Sequence, residues 1–164
     1  MRKKLLVSSL LAGVLGVAGI AHVSADGHMA PTEGKAFIQY ITEKNDYTKW
    51  PLFPGKGKLY KGAHPHGALL TTYVSPDAMK AMRDKKGVIP SGGIIVKENY
   101  TPDAKLDAVT VMYKKAGYNP DAGDWYWIKY AANGAIDKEG KVPGCINCHR
   151  AVQGNDWIFT GPVK

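Results

Sequence analysis

An α+β fold, predominantly an antiparallel β-sheet flanked by short helices, is predicted by three features of this 164-residue chain. Four segments rich in Ile, Val, Thr, Tyr and Trp are separated by turns of Pro, Gly, Asp and Asn, the composition of strands on a half-buried pleated surface. Helical periodicity is confined to two short stretches. The chain also carries 19 Gly and 10 Pro, which suits a sheet with frequent turns and not a bundle of long helices.

The amino terminus begins Met1-Arg2-Lys3-Lys4, runs through apolar residues from Leu5 to Ile20 and ends at Val23-Ser24-Ala25. These are the charged, apolar and small-residue regions of a secretory signal peptide, with cleavage expected after Ala25. The mature chain, 26–164, is then a single domain. The apolar run falls short of the roughly 20 residues that span a bilayer and no second run follows, so no membrane attachment is expected after cleavage. Loss of Arg2, Lys3 and Lys4 lowers the formal charge from +8 to +5. The remaining basic residues are scattered, without the clustered Lys/Arg stripe that nucleic-acid binding needs. They leave a basic surface that either steers an acidic redox partner or is merely solvated.

Within the mature chain, Ala36, Phe37, Tyr40 and Ile41 recur at helical spacing and predict an amphipathic helix from about Glu33 to Thr42. Trp50-Pro51-Leu52-Phe53-Pro54-Gly55 is irregular. The run Ala68 to Val74 reads as a strand. Ser75-Pro76-Asp77 opens a helix, with Ser as N-cap and Pro at the first helical position, that runs to about Lys86 and is closed by Gly87. Met79 and Met82 share a face of it and are expected to pack in the core. Gly92 to Tyr100, Ala108 to Lys115 and Trp125 to Ala131 read as further strands.

The chemistry is concentrated near the carboxy terminus, in Cys145-Ile146-Asn147-Cys148-His149, whose cysteines are the only two in the chain. CxxCH is the attachment signature of a c-type haem. Two thiols three positions apart bond to the two vinyl groups of one porphyrin, and the adjacent imidazole becomes the proximal iron ligand. A zinc site would need a second ligand pair, and a thioredoxin-like dithiol would open a helix early in a βαβ unit; neither context exists here. Bacterial c-type haem is attached outside the cytoplasm, so export and CxxCH agree and point to the periplasm. One haem c, bound through Cys145 and Cys148 with His149 on the iron, is the expected cofactor. A small electron-transfer cytochrome would place CxxCH near its start with a Met ligand downstream, whereas only 15 residues follow His149 and none is Met.

Several blocks in order, Tyr47 to Gly55, Pro65-His66-Gly67, Tyr73-Val74 with the following helix, Ile94-Ile95-Val96-Lys97-Glu98, Gly123-Asp124-Trp125, and CxxCH with Trp157-Ile158-Phe159-Thr160, resemble the cytochrome P-460 family, which includes the cytochromes c-prime-beta. The resemblance implies a homodimeric antiparallel-sheet protein with a five-coordinate haem on His149 and an open distal side. It implies oxidation of hydroxylamine, using nitric oxide to form nitrous oxide, with electrons passed to a soluble acceptor such as a small cytochrome. The c-prime-beta relatives instead bind nitric oxide or carbon monoxide.

In the cytochromes P-460 a lysine is covalently joined to the porphyrin edge, and Lys97 matches it. In an extended strand Ile95, Lys97 and Asn99 share one face. Attack on a porphyrin needs a neutral amine, which burial beside ferric haem favours; a lysine reaching solvent from a strand end is the competing reading. His66 falls where the family places a bulky aromatic over the distal haem face. Its open roles are hydrogen-bond donor to a ligand, acid/base for protons released by hydroxylamine, or sixth iron ligand; His64 is expected on the surface. Some hydroxylamine-oxidising relatives carry a distal carboxylate on the next strand, but Val109-Thr110-Val111-Met112 stands there. The nearest acid is Asp107, and Thr110 and Met112 share a face. Three readings stay open: a hydroxylamine-oxidising enzyme, a nitric-oxide-binding protein without turnover, and an electron-transfer cytochrome.

Overall fold

Residues 29–163 are described by the computed structural model, so the expected signal peptide, 1–25, lies outside the described residues. Six strands form one sheet in the order of the chain, each antiparallel to the next: β1 (Tyr60–Lys61), β2 (Leu69–Val74), β3 (Ile94–Tyr100), β4 (Leu106–Lys114), β5 (Trp125–Ala131) and β6 (Ile136–Gly140). Three short α-helices flank it: α1 (Gly34–Gln39), α2 (Pro76–Arg83) and α3 (Pro143–His149). The predicted α+β class and all four predicted strands are present. The two additional strands are at the sheet's edges. β1 is only two residues long, and β6 carries Asp137, Lys138 and Glu139, which hide its alternation.

Period-two alternation divides the sheet into two faces. On one, Val96 of β3, Val109, Val111 and Tyr113 of β4, and Tyr126, Ile128 and Tyr130 of β5 pack under Phe37 and Ile41 of the α1 segment. The predicted helix 33–42 is present: α1 covers Gly34–Gln39 and the chain continues helically, in a wider π-helical segment, over Tyr40–Lys44. On the other face Ile95, Met112, Trp125 and Trp127 pack with Met79 and Met82 of α2 and Ile146 of α3. Both methionines are thus in the core, as expected.

The start of α2 corrects the capping expectation. Ser75 makes no side-chain cap; its hydroxyl accepts the Ile94 N–H at 2.9 Å, tying the helix start to β3. The helix also ends at Arg83 and not near Lys86, and the Gly87 N–H bonds the Val163 carbonyl at 3.1 Å.

The α1-facing core holds many tyrosines whose hydroxyls are shielded from water. Tyr47 and Tyr100 donate to the buried Glu98 carboxylate at 3.0 and 2.6 Å. Burial foremost pushes Tyr100 and Tyr113 up to about 12, and Tyr47, Tyr126 and Tyr130 are raised as well. Because these folded-state values exceed the unfolded value near 10, their stabilisation is complete below pH 10 and is lost as pH rises through about 12. Thermal melts should show Tm falling steadily over that interval, as the unfolding free energy drops by on the order of 1 kcal/mol per pH unit for each fully buried tyrosine such as Tyr113. A flat profile from pH 10 to 12 would contradict this packing.

Candidate haem site

The CxxCH residues all lie within α3, with His149 its last residue. Pro143 sits at the helix start, and the Ile146 N–H closes the first turn on the Val142 carbonyl at 3.0 Å. Three-residue spacing puts Cys145 and Cys148 on neighbouring positions of one helix face. Both thiols are free; Cys145 is half-buried and Cys148 exposed. Ile146 turns into the core and His149 is buried.

His149 is oriented from behind. Its Nδ1 lies 2.6 Å from the Trp157 carbonyl, which can only accept, so Nδ1 carries the proton and Nε2 has the free lone pair. Trp127 and Phe159 pack edge-on against the ring at 4.7 and 5.2 Å between centroids. Burial foremost lowers the pKa of His149, with the carbonyl hydrogen bond opposing, so the imidazole is held in its neutral, ligating form.

The Trp157 carbonyl is aimed by a left-handed turn, with φ of 51° at Asp156 and 68° at Trp157. Two consecutive non-glycine residues in that region persist only where surroundings impose them. Here they do. The buried Asp156 carboxylate pairs with Lys114 at 2.5 Å and accepts the Ile89 N–H at 2.7 Å, and its backbone carbonyl accepts the Trp125 indole N–H at 3.0 Å. Gly123 permits the close approach of Trp157: a Cβ there would lie 2.6 Å from the indole nitrogen.

A cavity of about 360 Å³ opens between this segment and the sheet, within the usual range for cofactor sites. Its apolar wall includes Ile95, Met112, Trp127, Val142 and Ile158. Its polar wall is set by strand register, which aligns Lys97 of β3, Thr110 of β4, Lys129 of β5 and Lys138 of β6 in one row across the sheet. All four line the cavity with Cys145, Cys148 and His149. Asp107, read from sequence only as the nearest acid, also lines it, at an exposed position.

Lys97 is half-buried, on the face with Ile95 and Asn99 as predicted. Its ammonium makes no hydrogen bond or ion pair among the described residues. Burial lowers its pKa to about 8, so a substantial neutral fraction exists near neutral pH. His66 also lines the cavity, on the loop between β1 and β2, while His64 is exposed as expected. Burial foremost, and then the Lys97 charge, lower its pKa to about 4. Its Nδ1 is 3.0 Å from Asn99 Oδ1, and its ring centroid is 6.4 Å from that of His149. Thr110 and Met112 line the cavity too, joining the expected face to the site.

These residues fit a covalently held haem on three grounds. Two free thiols and a neutral imidazole open on one cavity. Its apolar wall suits a macrocycle, and Lys129 and Lys138, which share the single carboxylate of Asp137 at 2.9 and 3.5 Å, leave net positive charge suited to the carboxylates a haem carries. The Trp127 indole N–H is buried in that wall without a partner, a donor left for an acceptor that the protein itself does not supply. Among the described residues no group of three or more His, Cys, Asp or Glu is arranged to hold a bare metal ion. Asn99, Trp127, Lys129 and Lys138 were not singled out as site residues from sequence. Strand alternation alone places Asn99 beside Lys97, whereas Lys129 and Lys138 enter through register, which a single sequence does not display.

Comparison with known families gives a match to the model described as Cytochrome P460 over residues 44–160, well over half of the chain. No curated protein matches it. That family binds haem c, and the Cys145/Cys148 pair is compatible with covalent attachment. On its sequence match and on a cavity furnished for the cofactor, the chain is a c-type haem cytochrome belonging to the cytochrome P-460 family.

Proposed function

We propose that this cytochrome oxidises hydroxylamine together with nitric oxide to nitrous oxide, acting in the periplasm as a homodimer and passing electrons to a soluble acceptor such as a small cytochrome. The net reaction joins one hydroxylamine and one nitric oxide into nitrous oxide and water, releasing one proton and one electron. Bound haem supplies the iron centre that takes up the electron.

The residues around it divide the remaining tasks. Cys145 and Cys148 hold the cofactor, and His149 ligates iron from the side braced by Trp157. Lys97 is the observation that carries the reading: an amine without an ion-pair partner, in the cavity wall, with a depressed pKa. Were its nitrogen to bond a porphyrin carbon, one N–H and one C–H bond would be lost, and a peroxide would have to act as two-electron oxidant, taking up both hydrogens as it is reduced to water. His66 Nε2 is available to take the proton released by the substrate, since Nδ1 is engaged by Asn99. Thr110 and Met112, where relatives carry a carboxylate, favour a second reading: a protein that binds nitric oxide without turnover.

The test compares the haem-loaded wild type with Lys97→Ala. The wild type should show a strongly red-shifted ferrous Soret band, a Lys97 tryptic peptide bearing haem, and hydroxylamine-dependent formation of nitrous oxide. The variant should lose all three. An ordinary c-type ferrous spectrum unchanged by the substitution, with the Lys97 peptide free, would select the nitric-oxide-binding reading.

A further inference from the structure

Two histidines line the haem cavity with ring centroids 6.4 Å apart, and their hydrogen bonds fix both in the same tautomer. For His149 the fixed partner is the Trp157 carbonyl. For His66 it is Asn99, whose amide orientation is itself determined. Asn99 Nδ2 lies 2.9 Å from the Lys97 carbonyl and 3.2 Å from the Ala108 carbonyl, both of which only accept. That end must be the amide NH₂, so Oδ1 is the atom facing His66 Nδ1 and the Gly67 N–H, at 3.0 and 3.3 Å. His66 Nδ1 therefore carries the proton, and Nε2 has a free lone pair.

The spacing is equally specific. Imidazoles on opposite sides of one first-row metal ion, each with its nitrogen roughly 2 Å from the ion, have ring centres roughly 6 Å apart. The rings of His66 and His149 are 6.4 Å apart, with planes at 85°. A substrate seated between iron and His66 would require roughly 3 Å more, a further hydrogen-bonding distance.

We propose that His66 Nε2 is the sixth ligand of the haem iron in the resting protein, so that the cytochrome rests bis-histidine ligated and any small ligand must first displace His66. The inference rests on the haem assignment and is independent of hydroxylamine turnover. It makes the five-coordinate haem implied by the family resemblance the activated state. On detachment the nitrogen that left the iron becomes available as a proton acceptor for the incoming molecule.

Electron paramagnetic resonance and absorption spectra of the ferric, haem-loaded protein decide the matter. The wild type should be low-spin, with the highly anisotropic signal of perpendicular axial imidazoles. His66→Ala should be high-spin, return to low-spin on addition of free imidazole, and bind cyanide at least about tenfold faster, because no internal ligand competes for the iron. Should His66→Ala fail to incorporate haem, the wild-type signal alone decides. A high-spin wild type overturns the proposal, and so does a low-spin signal that survives His66→Ala and disappears in Lys97→Ala. The ferrous Soret position and the Lys97 peptide map test the crosslink separately, so failure of one inference is distinguishable from failure of the other.

Discussion

Asp156→Ala is expected to lower the unfolding free energy of the haem-loaded protein by about 3–5 kcal/mol, the cost of leaving one member of a buried ion pair without its partner. Lys114 and Asp156 are both buried, and without the carboxylate the ammonium would keep the Gly123 carbonyl at 2.7 Å and the Trp125 ring, 4.4 Å from its centroid, but no anion. The Ile89 N–H would lose its acceptor as well. Asp156→Asn retains an oxygen for Ile89 and should cost less. The double variant Lys114→Met/Asp156→Leu, which removes both charges, should recover much of the loss. Denaturant titration separates these cases. A change under about 1 kcal/mol for Asp156→Ala would show that the pair does not hold the turn that aims the Trp157 carbonyl at His149.

Asn99→Leu should disturb stability and iron ligation together. The carboxamide is buried and joins the His66 loop to β3 and β4. Leucine would leave the Gly67 N–H, the Ala108 carbonyl and His66 Nδ1 without this partner, at about 1–3 kcal/mol for each group that stays dry. It would also release the His66 tautomer. The expected outcome is a destabilised protein with a largely high-spin ferric haem. Asn99→Asp keeps an acceptor for His66 and Gly67 and should remain low-spin. Equal spin states in both variants would show that Asn99 does not position His66.

The sheet was legible because β2 to β5 are bounded by turn residues and rich in β-branched and aromatic residues, buried on both faces, with Val96, Val111 and Ile128 on one and Ile95, Met112 and Trp127 on the other. β6 was not legible, since Asp137, Lys138 and Glu139 are all exposed on an edge strand and leave no apolar period to read. α2 starts where Ser75 and Pro76 place it, but Ser75 spends its hydroxyl on β3, a tertiary contact that capping preferences do not anticipate, and the helix stops at Arg83, short of Lys86. At the site, CxxCH exposed Cys145, Cys148 and His149, while Lys97 was marked by the family resemblance, since strand alternation alone left a lysine reaching solvent equally open. The Trp157 carbonyl, a backbone group presented by an unusual turn, carries no sequence signal. Nor does the lysine row, which exists only once β4, β5 and β6 are in register.

Every strand of this sheet pairs with its neighbour in sequence, which gives the fold a low contact order for a β-protein and removes the slow search for distant partners. The wall bearing Lys97, Thr110 and Lys129 is thus assembled by successive hairpins. The segment from Pro143 onward, which brings both thiols and His149, packs against that wall without joining it as a strand. The cofactor's two supports are thereby separate in architecture: one short helix with an exposed Cys148 carries every thiol and the proximal imidazole, while the sheet supplies only the opposite wall.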